Sequence, residues 1–199
     1  MLISLERLIS SMTLALKESS NELSTQQQKV LLRKQLRAKR QKLSQQSQSI
    51  ASRKLLQNLK RSGLLLKAQH IALYLGNDGE IFPRELSAQL RRWGKKAYLP
   101  VIHPFKKQEI LFCQVHEGAL FKKNRFGIEE PNIKHSKRLL AKRLSLALMP
   151  LVAFDKDKNR MGMGGGFYDR AFNYKLQAPA SLPRLVGLAH DFQKQTALQ

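Results

Sequence analysis

The chain has 199 residues, 42% of them hydrophobic, which is enough to bury one substantial core and reads as a single domain. Its formal net charge of +22 favours anionic partners: nucleic acid, a membrane surface, or phosphorylated and polycarboxylate small molecules. No run of roughly eighteen apolar residues occurs, which excludes a membrane-spanning helix. The single cysteine, Cys113, excludes an internal disulfide and fits a reducing compartment such as the cytoplasm.

In Met1 to Ser20 the charges of Glu6, Arg7 and Lys17 interrupt the apolar residues, so no signal-peptide core forms. Residues 1–24 are expected to be a short helical or poorly ordered extension. Ser24 or Thr25 then offers a helix cap. From Lys29 to Lys42 the pattern is helical and basic. Val30, Leu31, Leu32, Leu36 and Leu43 supply an apolar side, while Lys29, Arg33, Arg37 and Arg40 recur every three or four residues. Most such cations sit on a solvated face, but like charges aligned this way repel, and some are expected to meet an anion. A second helix is predicted from Gln45 to Arg61, closed by Ser62-Gly63.

The middle of the chain alternates strand and helix. His70 to Leu75 reads as a strand, followed by the turn Gly76-Asn77-Asp78-Gly79 and by Glu80-Ile81. Pro83 to Trp93 reads as a helix, and Lys96 to Val101 and Ile110 to Val115 as strands, the second holding Cys113 as a buried, inert thiol. This alternation predicts an α/β fold: a mostly parallel central sheet flanked by helices in a three-layer, open doubly wound domain. Ligands in such sheets lie at the carboxyl ends of the strands. Glu80 follows one such end, where a carboxylate can accept hydrogen bonds from a heterocycle or serve merely as a turn acid.

The apolar run Leu144 to Phe154 reads as a further buried strand. After it comes Asn159-Arg160-Met161-Gly162-Met163-Gly164-Gly165-Gly166-Phe167-Tyr168-Asp169-Arg170, with a helix expected over Phe167 to Leu176. Strand, glycine loop and helix together aim backbone N–H groups at a bound anion. Glycines let the chain approach a phosphate closely. Arg160 and Arg170 add positive charge, and Asp169 can hold a divalent cation, so the stretch reads as a triphosphate cradle. A Walker loop would need Lys and then Ser or Thr where Phe167-Tyr168 stand. A dinucleotide fingerprint would need glycine at position 167 and an early place in the chain. A glycine-rich turn with no ligand is the remaining alternative. His70, His103, His116, His135 and His190 lack metal-ligand spacing; of these, only His103 is a candidate to line a site.

Four stretches in this order resemble the 5-formyltetrahydrofolate cyclo-ligase family, also called 5,10-methenyltetrahydrofolate synthetases. They are Lys29-Val30-Leu31-Leu32-Arg33; Leu73-Tyr74-Leu75 with Glu80-Ile81; Phe126-Gly127-Ile128-Glu129-Glu130-Pro131; and Met149 to Arg170. The resemblance runs over residues 29–199 and implies an ATP- and Mg2+-dependent conversion of 5-formyltetrahydrofolate to 5,10-methenyltetrahydrofolate, with release of ADP and phosphate. It implies that Lys29, Arg33, Arg160, Met161, Gly162, Met163, Gly164, Gly165, Gly166, Phe167 and Tyr168 contact ATP, with Arg160 and Tyr168 catalytic. It further implies that Leu75, Glu80 and Met163 to Phe167 contact the folate, and that Asp169 binds Mg2+. The helix bearing Lys29 must then fold back until its cations reach the phosphates.

The implied partners are ATP and 5-formyltetrahydrofolate, with or without a polyglutamate tail, acting on a monomer. Residues 25–199 would form the catalytic domain. The family pattern continues past Gln199 into a Trp-Asp-containing segment and a last strand with one acidic metal contact, so the resemblance implies that the C-terminal end of the domain is missing here. Two other functions compete. One is a basic nucleic-acid-binding protein using the Lys29–Lys42 helix, disfavoured by an aromatic content of 7% and by basic residues spread along the whole chain. The other is an inactive or other-substrate member of the same ATP-using fold.

Overall fold

The computed structural model describes residues 24–83, 85–106 and 108–198. The expectation for residues 1–23 lies outside them. Two helices open the described chain: α1 (Thr25–Gln41) and α2 (Gln45–Arg61). Ser24 begins α1 with a capping box, its hydroxyl accepting from Gln27 N while the Gln27 side chain accepts from Ser24 N. Ser44 caps α2 by accepting from Ser47 N at 3.1 Å.

Next come β1 (His70–Ala72), α3 (Leu86–Arg92), β2 (Lys96–Ile102), β3 (Ile110–Val115), β4 (Phe121–Lys123), β5 (Glu129–Pro131) and β6 (Arg138–Leu139). The chain continues through β7 (Leu146–Pro150), β8 (Ala153–Phe154), β9 (Arg160–Met161), α4 (Phe167–Ala171) and β10 (Arg184–Leu188). The main sheet has the order β10-β7-β1-β2-β3-β6. Its β10, β7, β1 and β2 are parallel neighbours, while β3 and β6 add an antiparallel edge.

Side chains alternate across this sheet as the pleat requires. Ile71, Leu99, Leu146 and Leu148 face α2 and α3, joining Leu56, Leu59, Leu86 and Leu90. Ala72, Tyr98, Ala147 and Met149 face the other way, toward Phe112 and Phe172, with Tyr168 and Ala171 of α4 against them. The three layers expected from the sequence are therefore present. A third, smaller cluster joins Leu36 of α1 to Val152 and to Ala153 and Met161 of the β8–β9 ribbon that follows it, with Leu32, Phe192 and Leu198 packed against them. That cluster folds α1 back onto the chain segment that leads into the glycine loop.

Several element limits differ from the sequence reading. The run Leu144–Phe154 is two strands, because Leu151 and Val152 turn the chain after Pro150 and Val152 N donates to Met161 O at 2.7 Å. The expected helix over Phe167–Leu176 is one five-residue turn followed by a 3-10 turn at Asn173–Leu176, so a long helix dipole does not stand behind the loop. The helix expected over Pro83–Trp93 is confined to Leu86–Arg92. The strand expected to Leu75 ends at Ala72, although Leu73 N still donates to Tyr98 O at 2.8 Å. Strand β10 was not anticipated: Gly187 and Pro183 interrupt a short apolar run that lacks strand alternation.

Candidate active site

A cleft of about 870 Å³ opens at the carboxyl ends of β1, β2 and β7. That volume falls in the range of small-molecule sites. The turn after β1 supplies Leu75, Asn77, Asp78 and Glu80; β2 supplies Leu99, Pro100 and Ile102; and the loop after β9 supplies Gly162 to Gly166. Lys29 and Arg33 of α1 line the same cleft, as do Arg160, Met161, Phe167, Tyr168 and Asp169. Every residue singled out from the sequence for ATP, folate or metal thus borders one cavity.

Arg33 Nε donates to Gly162 O at 2.9 Å across 129 residues of sequence. The helix and the loop are thereby tied together within the lining of the cleft. Within the loop, Gly164 and Gly166 have φ of +97° and +64°, conformations that side chains rarely adopt. A Cβ on Gly166 would come within 2.6 Å of Arg170 Nη1. Arg170 does not face the cleft; its guanidinium donates to Gly165 O and, at 2.9 Å, to Gln108 O, bracing the loop from outside. The base of the loop is held by Asp155, which is 4% exposed. Its carboxylate accepts from the Asn159 side chain and from the N–H groups of Asp157, Asn159 and Leu198, and these bonds keep its pKa below the ordinary value.

Arg160 Nη2 donates to Asp169 Oδ1 at 2.5 Å. Asp169 is otherwise exposed, and among the described residues no group of three or more His, Cys, Asp or Glu gathers to hold a metal. Magnesium commonly binds through one or two carboxylates plus substrate phosphates, keeping several waters. A single carboxylate lining the cleft would suit only an ion that arrives with a phosphate ligand.

Another part of the wall is set by the turn at 76–80, which packs on α1. Asp78 is bound by Arg37 Nε at 2.7 Å and by Arg40 Nη2 at 2.6 Å, and Gln41 also donates to it. Burial pushes the Asp78 pKa up, but these donors outweigh it and hold the carboxyl below its ordinary value. Glu80 is the reverse: burial holds its pKa above the ordinary glutamate value, against the pull of the Arg40 charge. Burial and then the Glu80 charge also raise the Tyr168 phenol, so Tyr168 is a neutral hydroxyl at physiological pH.

One part of the cleft was not assigned to it from the sequence. Asn124, Phe126, Ile128, Glu129 and Glu130 form a further wall of the cleft. Phe126 meets Phe167 edge-on with centroids 6.2 Å apart, and Glu130, 4% exposed, accepts from Ile102 N and Asn124 Nδ2 at 3.2 Å each. An exposed aromatic beside a Gly-Ile-Glu-Glu run was the available signal. His103, by contrast, does not line the cleft: its Nδ1 accepts from Phe105 N and Lys106 N, closing the turn after β2.

A sequence profile of the 5-formyltetrahydrofolate cyclo-ligase family matches residues 25–198. The chain belongs to this family. It is similar to the 5-formyltetrahydrofolate cyclo-ligase of Haemophilus influenzae, 44% identical over 128 residues that cover 64% of this chain and 67% of that one. It is also similar to the Escherichia coli K12 5-formyltetrahydrofolate cyclo-ligase, 41% identical over 133 residues covering 65% and 69%. Among solved structures, the Aquifex aeolicus 5,10-methenyltetrahydrofolate synthetase superposes with a TM-score of 0.71 at 30% identity, over 86% of this chain and 82% of that one. The 5,10-methenyltetrahydrofolate synthetase of Mycoplasma pneumoniae gives 0.63 at 26% identity, over 86% and 90%. As a family member the chain is an enzyme of the cyclo-ligase class. No described helix is long and apolar enough to cross a membrane.

Proposed function

We propose that the chain converts 5-formyltetrahydrofolate to 5,10-methenyltetrahydrofolate at the expense of ATP, in the cleft between α1, the 76–80 turn and the glycine loop. One observation carries this assignment to the cleft: cations from α1 and the loop 129 residues later meet at an Arg33–Gly162 hydrogen bond, in a cleft that Glu80 also lines. The cluster of positive charge suits a triphosphate, and Glu80 suits the N–H groups of a pterin.

A formyl amide resists cyclisation because its oxygen leaves poorly. Attack of that oxygen on the γ-phosphorus forms an O–P bond, breaks the bond to the bridging oxygen and releases ADP. The folate N10 lone pair then attacks the formyl carbon; the C–O bond breaks, phosphate leaves, N10 loses its proton, and the N5–C–N10 bridge is complete. Because attacking and attacked atoms lie in one molecule, correct positioning contributes several kcal/mol (about 7 or more in well-oriented cases). No protein nucleophile is required.

Lys29, Arg33 and Arg160, with Met161 to Phe167 of the loop, hold the phosphates and stabilise the charge that develops on them. Tyr168, neutral, can donate a hydrogen bond to an anionic oxygen. Leu75, Glu80 and Met163 to Phe167 receive the folate. Asp169 would hold Mg2+, which when bound neutralises charge on the nucleotide phosphates. The positive excess of the chain draws in ATP and the glutamate tail, one residue or several. The working unit is a monomer in the cytoplasm.

The test is spectroscopic. Protein, Mg-ATP and 5-formyltetrahydrofolate are mixed and the absorbance of the methenyl product is followed. Arg160→Ala is expected to abolish product formation while leaving the melting curve intact. Undiminished turnover would remove Arg160 from the site.

A further inference from the structure

Arg40 lies within the fold at 1% exposure and does not border the cleft. A buried guanidinium is costly unless its donors are used. Here they are used to join three chain segments. Nε donates to Asp78 O and Nη2 to Asp78 Oδ2, both at 2.6 Å; Nη1 reaches Leu151 O at 3.5 Å and lies 3.8 Å from Glu80 Oε1. Those segments are α1, which carries Lys29 and Arg33; the turn that carries Glu80; and the β7–β8 connection, which leads to the glycine loop.

The turn is pressed onto α1 with little room. Asp78 has φ +53° and Gly79 φ +72°, and a Cβ on Gly79 would stand 2.6 Å from Arg40 O. Gln193, itself 2% exposed, fastens the third segment through its side-chain amide to Leu151 O and Val152 O at 2.8 and 3.0 Å. A planar fork with fixed donor directions suits a three-way junction in a way that a lysine ammonium does not.

We infer that Arg40 is a positioning residue: one buried guanidinium sets the nucleotide-binding helix and the substrate-binding turn relative to each other, so that both ligand subsites depend on it although neither ligand touches it. This rests on the proposed assignment of Lys29 and Arg33 to ATP and of Glu80 to the folate. The charge of Arg40 is also the principal favourable influence on the ionised form of Glu80. The other groups facing Glu80 are Arg37 from α1, Asp78 and the Asn77 N–H from its own turn, Tyr74 following β1, and Tyr168 from α4.

The experiment compares the full chain with Arg40→Lys, Arg40→Met and Glu80→Gln, measuring kcat and KM for each substrate against pH at a temperature where melting curves show the protein folded. Arg40→Lys is expected to raise KM for both ATP and 5-formyltetrahydrofolate by roughly tenfold, the loss of about one charge-assisted hydrogen bond in placing each subsite. In Arg40→Met, the acid limb of kcat/KM for the folate should move to higher pH, since ionised Glu80 loses its partner, and Glu80→Gln should lack that limb. A kcat that falls with the folded fraction, with both KM values and the acid limb unmoved, would make Arg40 a purely structural residue and overturn the inference. Should Arg40→Met not fold, Arg40→Lys and Asp78→Asn decide the matter through the paired KM values. If Glu80→Gln leaves the folate KM unchanged, the assignment of Glu80 is what has failed, and the substrate half of the inference falls with it.

Discussion

The docking of α1 on the β8–β9 ribbon rests on a small apolar cluster, and Leu36 is its centre. Leu36 is 4% exposed, against Val152, Ala153 and Met161. Leu36→Ala removes buried carbon from a site whose neighbours are held by β8–β9 pairing and cannot easily collapse. Such truncations cost about 3 kcal/mol, near the low end for buried leucines because the cluster is small. If α1 opens independently of the main sheet, that cost falls on local opening, and amide exchange in Thr25–Gln41 should accelerate by roughly a hundredfold. Exchange in β1 and β7 should be nearly unchanged. Because Lys29 and Arg33 leave the cleft with the helix, KM for ATP should rise while saturating ATP restores most of the rate. Equal acceleration in α1 and in the core strands would refute independent docking. Unchanged exchange in α1 would refute the importance of the cluster itself.

Three further outcomes are expected. The acid limb of folate binding should lie above the ordinary glutamate value of 4.5, because buried Glu80 has a raised pKa and its carboxylate is lost as pH falls through it; isothermal titration of 5-formyltetrahydrofolate between pH 4 and 7 (~ values bracketing the ordinary Glu range) checks this. Asp78 and Asp155 have folded-state pKa values below 3.8, so their stabilisation is present above 3.8 and is lost as pH falls through the lowered values; acid unfolding followed by circular dichroism should be delayed least in Asp78→Asn, whose carboxylate no longer contributes. Cys113 is fully buried and its thiol is pushed up to about 11, so iodoacetamide at pH 8 (~ a few units below that pKa) should label the folded protein far more slowly than the urea-unfolded chain, and rapid labelling of folded protein would contradict its place in β3.

Much of the architecture was legible because its signals are local. The limits of α2 and β3 agree with the sequence reading, since Ser44 and Ser62-Gly63 bracket the helix and Ile110 to Val115 is a plain β-forming run. The parallel core followed from the strand–helix–strand spacing around α3, and its antiparallel edge did not, because the direction of β3 depends on the turn at 103–109. The split at Leu151–Val152 was hidden inside an apolar run, where periodicity cannot separate one strand from two. At the cleft, Lys29, Arg33 and the glycine loop were visible from the sequence as candidate anion-binding residues, and the fold brings them to one cavity. Arg40 looked like one more cation in a basic series. Only the fold shows it buried while Lys39 beside it is exposed, for the partner that accounts for it, Asp78, is 38 residues away. The stretch Phe126 to Pro131 was visible as a family-like run, but its place in the cleft was not, because it gets there through the pairing of β4 with β5.

The distance in sequence between Arg33 and Gly162 has a consequence for how the protein is made. Helix α1 leaves the ribosome before its seat does, for the ribbon against which its leucines pack is encoded more than a hundred residues later. At about 5–20 residues per second, the nascent chain carries that apolar, cationic helix without its seat for on the order of ten seconds. During that interval the helix is open to chaperones and to the polyanions around the ribosome, and the cleft cannot take shape until the glycine loop has followed it out.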